Sequence, residues 1–132
     1  MANITREISI DASVEAVWDA VRDVGAVHCR LVPGLVIASH VEGDIRIVTF
    51  ANGLALRELI VDIDDGTRRL VYASIGGRAK HHQASMQALA EADGKTRLVW
   101  ITDIMPAELA DQVRQLVDAG AEIIKVTLAG KR

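Results

Sequence analysis

The segment Ile45–Ile63, which reads IRIVTFANGLALRELIVDI, decides the fold of this chain. Two runs rich in apolar residues flank Ala51-Asn52-Gly53, and this arrangement predicts a β-hairpin. If the loop is centred on Asn52, antiparallel pairing places Arg46 opposite Glu58. Val48 and Phe50 then share their face, which is otherwise apolar.

The predicted Arg46–Glu58 pair has two interpretations. A partly desolvated ion pair is weak evidence for stability, because desolvation cancels much of the Coulombic gain, so ligand orientation is one reason for its presence. The other interpretation is an exposed cross-strand pair worth about 0.2–1 kcal/mol. Periodicity alone leaves both open.

Turn signals continue on both sides of the hairpin, and the runs between them predict further strands. A first strand is predicted around Ile4–Ile10, where Ile4, Ile8 and Ile10 alternate with polar residues. The remaining predicted strands are Leu35–Val41, Ile45–Phe50, Leu54–Ile63, Arg69–Ile75, His81–Ala90 and Thr96–Met105. Short turns between successive strands indicate an antiparallel sheet.

Three helices are predicted around these strands. Ser13 can cap a helix over Val14–Arg22, a short helix is expected near Ala26–Leu31, and an amphipathic helix follows Pro106. A seven-stranded sheet needs its apolar face covered, and only the last helix is long enough. We therefore predict an α+β, helix-grip fold in which the sheet curves around the C-terminal helix.

Composition supports one domain over residues 1–132. Of the 132 residues, 50% are hydrophobic and 3% are aromatic, the net charge is -3, and Cys29 is the only cysteine. The chain has neither the basic face nor the stacking rings that nucleic-acid binding needs. We expect no signal peptide, no integral membrane segment, no metal and no cofactor, and a reducing cytoplasm.

Several residues on the predicted inner face are candidates for chemistry or binding. Tyr72 can donate a hydrogen bond to a carbonyl or stabilise an enolate, or it is a core ring with its hydroxyl at the rim. His82 shares the apolar face of its strand with Met86, and it is either a cavity histidine or a structural one. A three-residue loop at Ala92-Asp93-Gly94 turns Trp100 inward, whereas a two-residue turn would turn Asp103 inward.

Other candidates lie outside these central strands. Ser39 lies on the inner face if Glu42-Gly43 forms a two-residue hairpin. Gly120 either leaves ligand volume beneath the last helix or permits close packing of helix on sheet. Cys29 beside His28 is better explained as a buried structural thiol than as a nucleophile.

The order of these elements resembles the START-like and Bet v 1-like superfamily, particularly its small bacterial polyketide cyclase/dehydrase and lipid-transport members. The matching motifs are Val17-Trp18 with Arg22-Asp23, Gly43-Asp44-Ile45-Arg46, Glu58-Leu59, Asp64-Asp65, Arg69-Leu70-Val71-Tyr72, Thr96–Trp100 and Pro106. The related plant abscisic-acid receptors also carry an arginine and a glutamate at the places of Arg46 and Glu58. Their gate proline and carboxylate-binding lysine are missing here, which argues against a hormone-receptor role.

The resemblance implies a cavity that binds a hydrophobic small molecule such as a lipid, a polyketide or an isoprenoid-like compound. It aligns Leu116, Gly120 and Ile124 with cavity-facing positions. The implied ligand-binding set is Ser39, Arg46, Val48, Phe50, Glu58, Tyr72, Met86, Trp100, Leu116, Gly120 and Ile124. The alternatives are a polyketide cyclase or dehydratase with Glu58, Tyr72 and His82 as catalytic residues, and a protein-interaction domain with a vestigial cavity. The chain is expected to be a monomer or a homodimer.

Overall fold

The computed structural model describes all 132 residues and contains seven strands and three α-helices. The strands are β1 (Ala2–Ile10), β2 (Val36–Glu42), β3 (Ile45–Phe50), β4 (Ala55–Asp64), β5 (Arg69–Ile75), β6 (His81–Ala90) and β7 (Thr96–Met105). The helices are α1 (Val14–Arg22), α2 (Val27–Arg30) and α3 (Ala110–Leu128), with 3-10 turns at Val24–Ala26 and Ala107–Leu109. The predicted α+β helix-grip fold is confirmed.

All seven strands form one antiparallel sheet in the order β1-β7-β6-β5-β4-β3-β2. The predicted limits of β3, β5, β6 and β7 match the structure, whereas β2 and β4 each begin and end one residue later than expected. Arg46 pairs with Glu58, as the position of Asn52 predicted. Gly53 has φ +89, and its N–H donates to the carbonyl of Phe50, which closes the three-residue turn.

Helix α1 begins where the capping residue predicts. The Ser13 hydroxyl accepts a hydrogen bond from the Ala16 N–H at 3.2 Å, which satisfies one free donor of the first turn. Further along, the Asp65 carboxylate accepts hydrogen bonds from Trp18 Nε1 at 2.8 Å and from Arg22 Nε at 2.9 Å. Asp65 lies in the turn between β4 and β5, so it joins that turn to α1.

Helix α3 lies across the sheet and packs mainly against β1 and β7. Its C-terminal half carries the buried residues Gly120, Ile124 and Leu128. Backbone hydrogen bonds then hold the chain end, from Gly130 N to Asp11 O and from Ser13 N to Lys131 O. In the N-terminal half, Ala110 and Val117 are buried, whereas Val113 and Leu116 are half-buried. No helix combines the length and the apolar composition that crossing a membrane requires.

Candidate functional site

A cavity of about 80 Å³ lies between the inner face of the sheet, α2 and the first turns of α3. Fifteen of its 19 lining residues are hydrophobic. The lining residues are Val27, Leu31, Val32, Leu35, Val36, Arg46, Val48, Phe50, Leu56, Glu58, Leu70, Tyr72, His82, Met86, Trp100, Thr102, Val113, Leu116 and Val117. The walls are therefore apolar, and the few polar groups are confined to the sheet.

The charged groups of the cavity are the paired side chains of β3 and β4. Arg46 Nε donates to Glu58 Oε1 at 2.8 Å, and the two side chains are only 5% and 11% exposed. Arg46 Nη1 also approaches the carbonyl of Val24 at 3.4 Å. This burial excludes the interpretation of an exposed cross-strand pair.

Tyr72 lies between the ion pair and Trp100. The guanidinium carbon of Arg46 is 4.9 Å from the centroid of the Tyr72 ring, which is a cation–π distance. The Tyr72 hydroxyl accepts a hydrogen bond from Trp100 Nε1 at 3.2 Å. Burial raises the pKa of Tyr72 far above its ordinary value, and the Glu58 carboxylate adds to this effect. The phenol therefore stays protonated at neutral pH and can donate a hydrogen bond to a ligand.

Thr102 is a cavity residue that the candidate set did not include. Strand pairing puts Tyr72 opposite Ala84, and Ala84 opposite Thr102, so Tyr72 and Thr102 lie in one row across the sheet. Thr102 is 2% exposed, yet its hydroxyl makes no hydrogen bond within the chain. Thr102 is among the residues that line the cavity, and its hydroxyl is not one of the fully enclosed polar atoms that lack a hydrogen bond, so it opens into the cavity.

His82 lines the cavity at the beginning of β6, and neither ring nitrogen makes a hydrogen bond within the chain. Burial lowers the pKa of His82, with a smaller contribution from the positive charge of neighbouring His81. The neutral imidazole can therefore accept a proton or a hydrogen bond at neutral pH.

Nine of the candidate residues line this cavity. They are Arg46, Val48, Phe50, Glu58, Tyr72, His82, Met86, Trp100 and Leu116. Trp100 faces inward because the loop between β6 and β7 has the three-residue form, in which Glu91 N donates to Lys95 O and Gly94 N donates to Glu91 O. Ser39, Gly120 and Ile124 do not line the cavity.

Ser39 is on the expected face but does not reach the cavity. Its hydroxyl donates to the Gly25 carbonyl at 2.8 Å and lies 2.7 Å from His28 Nδ1. Because the one hydroxyl proton goes to Gly25, His28 Nδ1 is the donor to Ser39 Oγ. Ser39 therefore joins α2 and the preceding turn to edge strand β2, and its contact with a ligand stays a prediction.

Gly120 and Ile124 are packing residues. A Cβ at Gly120 would lie 3.1 Å from two ring atoms of Trp100, so the glycine allows α3 to approach the sheet closely. Ile124 is fully buried in the core beyond this contact. Of the two alternatives for Gly120, the structure shows close packing of helix on sheet, because the Trp100 ring occupies the space beneath it.

Cys29 also differs from its prediction. It is exposed, and its thiol approaches only the carbonyl of Ala26, at 3.4 Å. The four-residue helix α2 buries Val27 instead and turns Cys29 toward solvent. Among the side chains of the structure, no three His, Cys, Asp or Glu residues converge on a point that could hold a metal ion.

The sequence of the chain matches a known protein family. The sequence model of the family described as "Polyketide cyclase / dehydrase and lipid transport" matches residues 1–128. No curated protein matches the chain.

Solved structures share the fold over nearly the whole chain. An uncharacterized protein from Bacillus thuringiensis superposes with a TM-score of 0.86 at 15% identity, covering 96% of this chain and 98% of its own. A protein from Thermobifida fusca has a TM-score of 0.78 at 25% identity, covering 97% and 91%. Norcoclaurine synthase from Thalictrum flavum has a TM-score of 0.75 at 18% identity, covering 99% and 95%.

Proposed function

The chain belongs to the polyketide cyclase/dehydrase and lipid transport family, and from this membership we propose that it binds a hydrophobic small molecule between the sheet and α3. The ligand class is a lipid, a polyketide or an isoprenoid-like compound. The observation that carries the proposal is an apolar cavity lined by a few polar groups that have unused hydrogen-bonding capacity. The hydroxyls of Tyr72 and Thr102 both open into it.

Burial of apolar ligand surface supplies most of the affinity in this proposal, at roughly 25 cal/mol per Å² removed from water. The polar groups orient the ligand. Arg46 and Tyr72 donate hydrogen bonds to a ligand oxygen, while Glu58 holds the guanidinium in place. An uncompensated polar group in an apolar cavity costs free energy, so its pairing with a ligand adds both affinity and specificity.

Ligand size sets a further requirement. The cavity of about 80 Å³ is smaller than the ~150 Å³ cavity that accepts benzene and the ~300–1,000 Å³ pockets that hold drug-sized ligands. A lipid or a polyketide therefore enters only if the cavity widens. In our proposal the N-terminal half of α3, which carries Val113, Leu116 and Val117, moves away from the sheet.

Native mass spectrometry of the purified protein tests this function by detecting a copurifying apolar ligand. A ligand present at 100 times its Kd should stabilise the fold by about 2.7 kcal/mol, which raises the Tm by several degrees. The proposal predicts such a shift for at least one member of a lipid and polyketide library. A ligand-free protein with no thermal shift across the library would contradict it.

The state of His82 favours a second candidate function, that of a polyketide cyclase or dehydratase. Its neutral imidazole faces the cavity with both nitrogens free to accept or donate, as proton transfer requires. Tyr72 would stabilise a developing enolate by hydrogen bonding, and Glu58 Oε2 is a further proton acceptor.

Turnover of a model polyketone distinguishes the enzyme from the binding module. If His82 or Glu58 moves the proton, His82→Gln or Glu58→Gln should abolish cyclisation while a thermal shift with the substrate persists. Cyclisation by both variants at the parent rate would reject these proton-transfer roles.

The cellular setting is part of the proposal. One exposed thiol and the absence of a second cysteine suit a reducing compartment such as the cytoplasm. We expect a monomer or a homodimer, which size-exclusion chromatography with light scattering will distinguish.

A further inference from the structure

The cavity has one cation and one anion, and they are already paired with each other. Arg46 and Glu58 are the only lining residues that carry a full charge at neutral pH, since burial lowers the pKa of His82. Their 2.8 Å hydrogen bond is almost completely buried. The site therefore presents no net charge to a ligand.

The unpaired atoms of the cavity include three hydrogen-bond donors on its polar side chains. Arg46 Nη2 and the hydroxyl protons of Tyr72 and Thr102 have no acceptor within the chain. Glu58 Oε2 is the charged acceptor that remains. A neutral oxygen, such as that of a ketone, accepts from these donors without bringing a charge into the cavity.

A carboxylate ligand meets a different situation at the same atoms. Its negative charge would compete with Glu58 for the Arg46 guanidinium and would be repelled by the Glu58 carboxylate. Both effects are stronger in a cavity with apolar walls than in water. No second cation lines the cavity to offset the desolvation of the ligand's charge.

We infer that the cavity selects ligands whose polar end is neutral, such as a ketone, aldehyde, amide or alcohol, over carboxylates of the same shape. This inference rests on the proposed binding function, whose ligand class it narrows. Glu58 is then the specificity-determining residue. Its carboxylate neutralises the positive charge of Arg46, which would otherwise attract carboxylate ligands.

The test compares 2-octanone with heptanoate, in which a carboxylate oxygen replaces the terminal methyl group of the ketone. Two-dimensional ¹H–¹⁵N NMR reads the indole N–H signals of the two tryptophans at pH 7.5. Trp100 Nε1 lies at the cavity beside the Tyr72 hydroxyl, whereas Trp18 Nε1 donates to Asp65 outside it. Trp18 therefore serves as an internal control for non-specific effects.

In the wild-type protein, 2-octanone should shift the Trp100 signal with a Kd at least tenfold lower than that of heptanoate. In Glu58→Gln, the ratio of the heptanoate Kd to the 2-octanone Kd should fall by at least tenfold, because heptanoate then replaces the lost counter-ion of Arg46. The matched control is Glu122→Gln, which removes one negative charge from an exposed position of α3 and should keep the wild-type preference.

Each outcome has a separate meaning. Equal or tighter binding of heptanoate to the wild-type protein overturns the inference and leaves the binding function intact. If neither compound moves Trp100, the inference fails, and the thermal-shift library then decides the binding function independently. The wild-type comparison needs no variant, so the inference stays testable even if Glu58→Gln does not fold.

Discussion

Replacing Arg46 by methionine should lower the free energy of unfolding by about 3–5 kcal/mol, since the change leaves the Glu58 carboxylate buried without its partner. The side chains are 5% and 11% exposed, and their polar atoms lie 2.8 Å apart. Two unit charges about 4 Å apart interact by roughly 4 kcal/mol at an effective dielectric constant near 20, which agrees with this range. The cation–π contact with Tyr72 is lost as well.

The double variant Arg46→Met/Glu58→Leu should recover most of the loss. Removing both charges also removes both desolvation penalties, and apolar replacements of buried ion pairs are commonly neutral or stabilising by about 1–4 kcal/mol. The double variant should therefore be within about 1 kcal/mol of the wild type or more stable than it. With the single variant Glu58→Leu added, the double-mutant cycle measures the interaction free energy between the two side chains.

Urea unfolding monitored by circular dichroism provides these free energies. The control is Glu7→Gln at the exposed Arg97–Glu7 pair, whose side chains are 43% and 55% exposed, and it should cost no more than about 1 kcal/mol. If Arg46→Met also costs less than about 1 kcal/mol, the pair is hydrated, and the reasoning from burial is wrong.

Three further predictions concern groups away from this pair. Because burial lowers the pKa of His82 below 6.5, its contribution to stability is complete above pH 6.5 and is lost as the pH falls toward the folded-state pKa. Between pH 7.5 and 5.5, the Tm of His82→Gln should therefore fall less than the Tm of the wild type. Equal decreases in Tm would show that folding does not change the pKa of this histidine. The hydrogen bonds from Trp18 and Arg22 lower the pKa of Asp65. In thermal unfolding scans, the wild type should therefore be more stable than Asp65→Ala at neutral pH, and this difference should disappear as the pH falls below 3.8. A difference in stability that persists at lower pH would point to another cause. Cys29 should react with one equivalent of a thiol reagent such as DTNB in the folded protein, and reaction only after denaturation would mean that the thiol is buried.

The strands and their registers could be predicted because local residues encode them. Asn52 and Gly53 determine a turn, and the turn then determines that Arg46 faces Glu58 across the hairpin. The same logic applies to Gly94 and the inward orientation of Trp100. The residues of the turns were therefore enough to predict most of the strand registers and most of the residues that line the cavity.

What could not be predicted depends on distances between elements far apart in sequence. Gly120 has the same local sequence whether it faces ligand volume or the Trp100 ring, and only the height of α3 above the sheet decides. Ser39 shares a face with cavity residues, but the placement of α2 determines that Gly25 and His28 engage its hydroxyl. Thr102 has the same strand parity as Trp100, but parity does not tell whether a threonine hydroxyl finds a partner within the chain.

At Gly120, α3 lies directly against the Trp100 ring and divides into two parts with different surroundings. Beyond Gly120 the helix is held by Ile124, Leu128 and the chain end, whereas the ten residues before it reach over the cavity. At 1.5 Å per residue these ten residues span about 15 Å, so a tilt of ~10° about Gly120 would displace the beginning of the helix by about 2.6 Å. In our proposal, such a tilt enlarges the cavity while the sheet and the part of the helix that follows Gly120 stay in place.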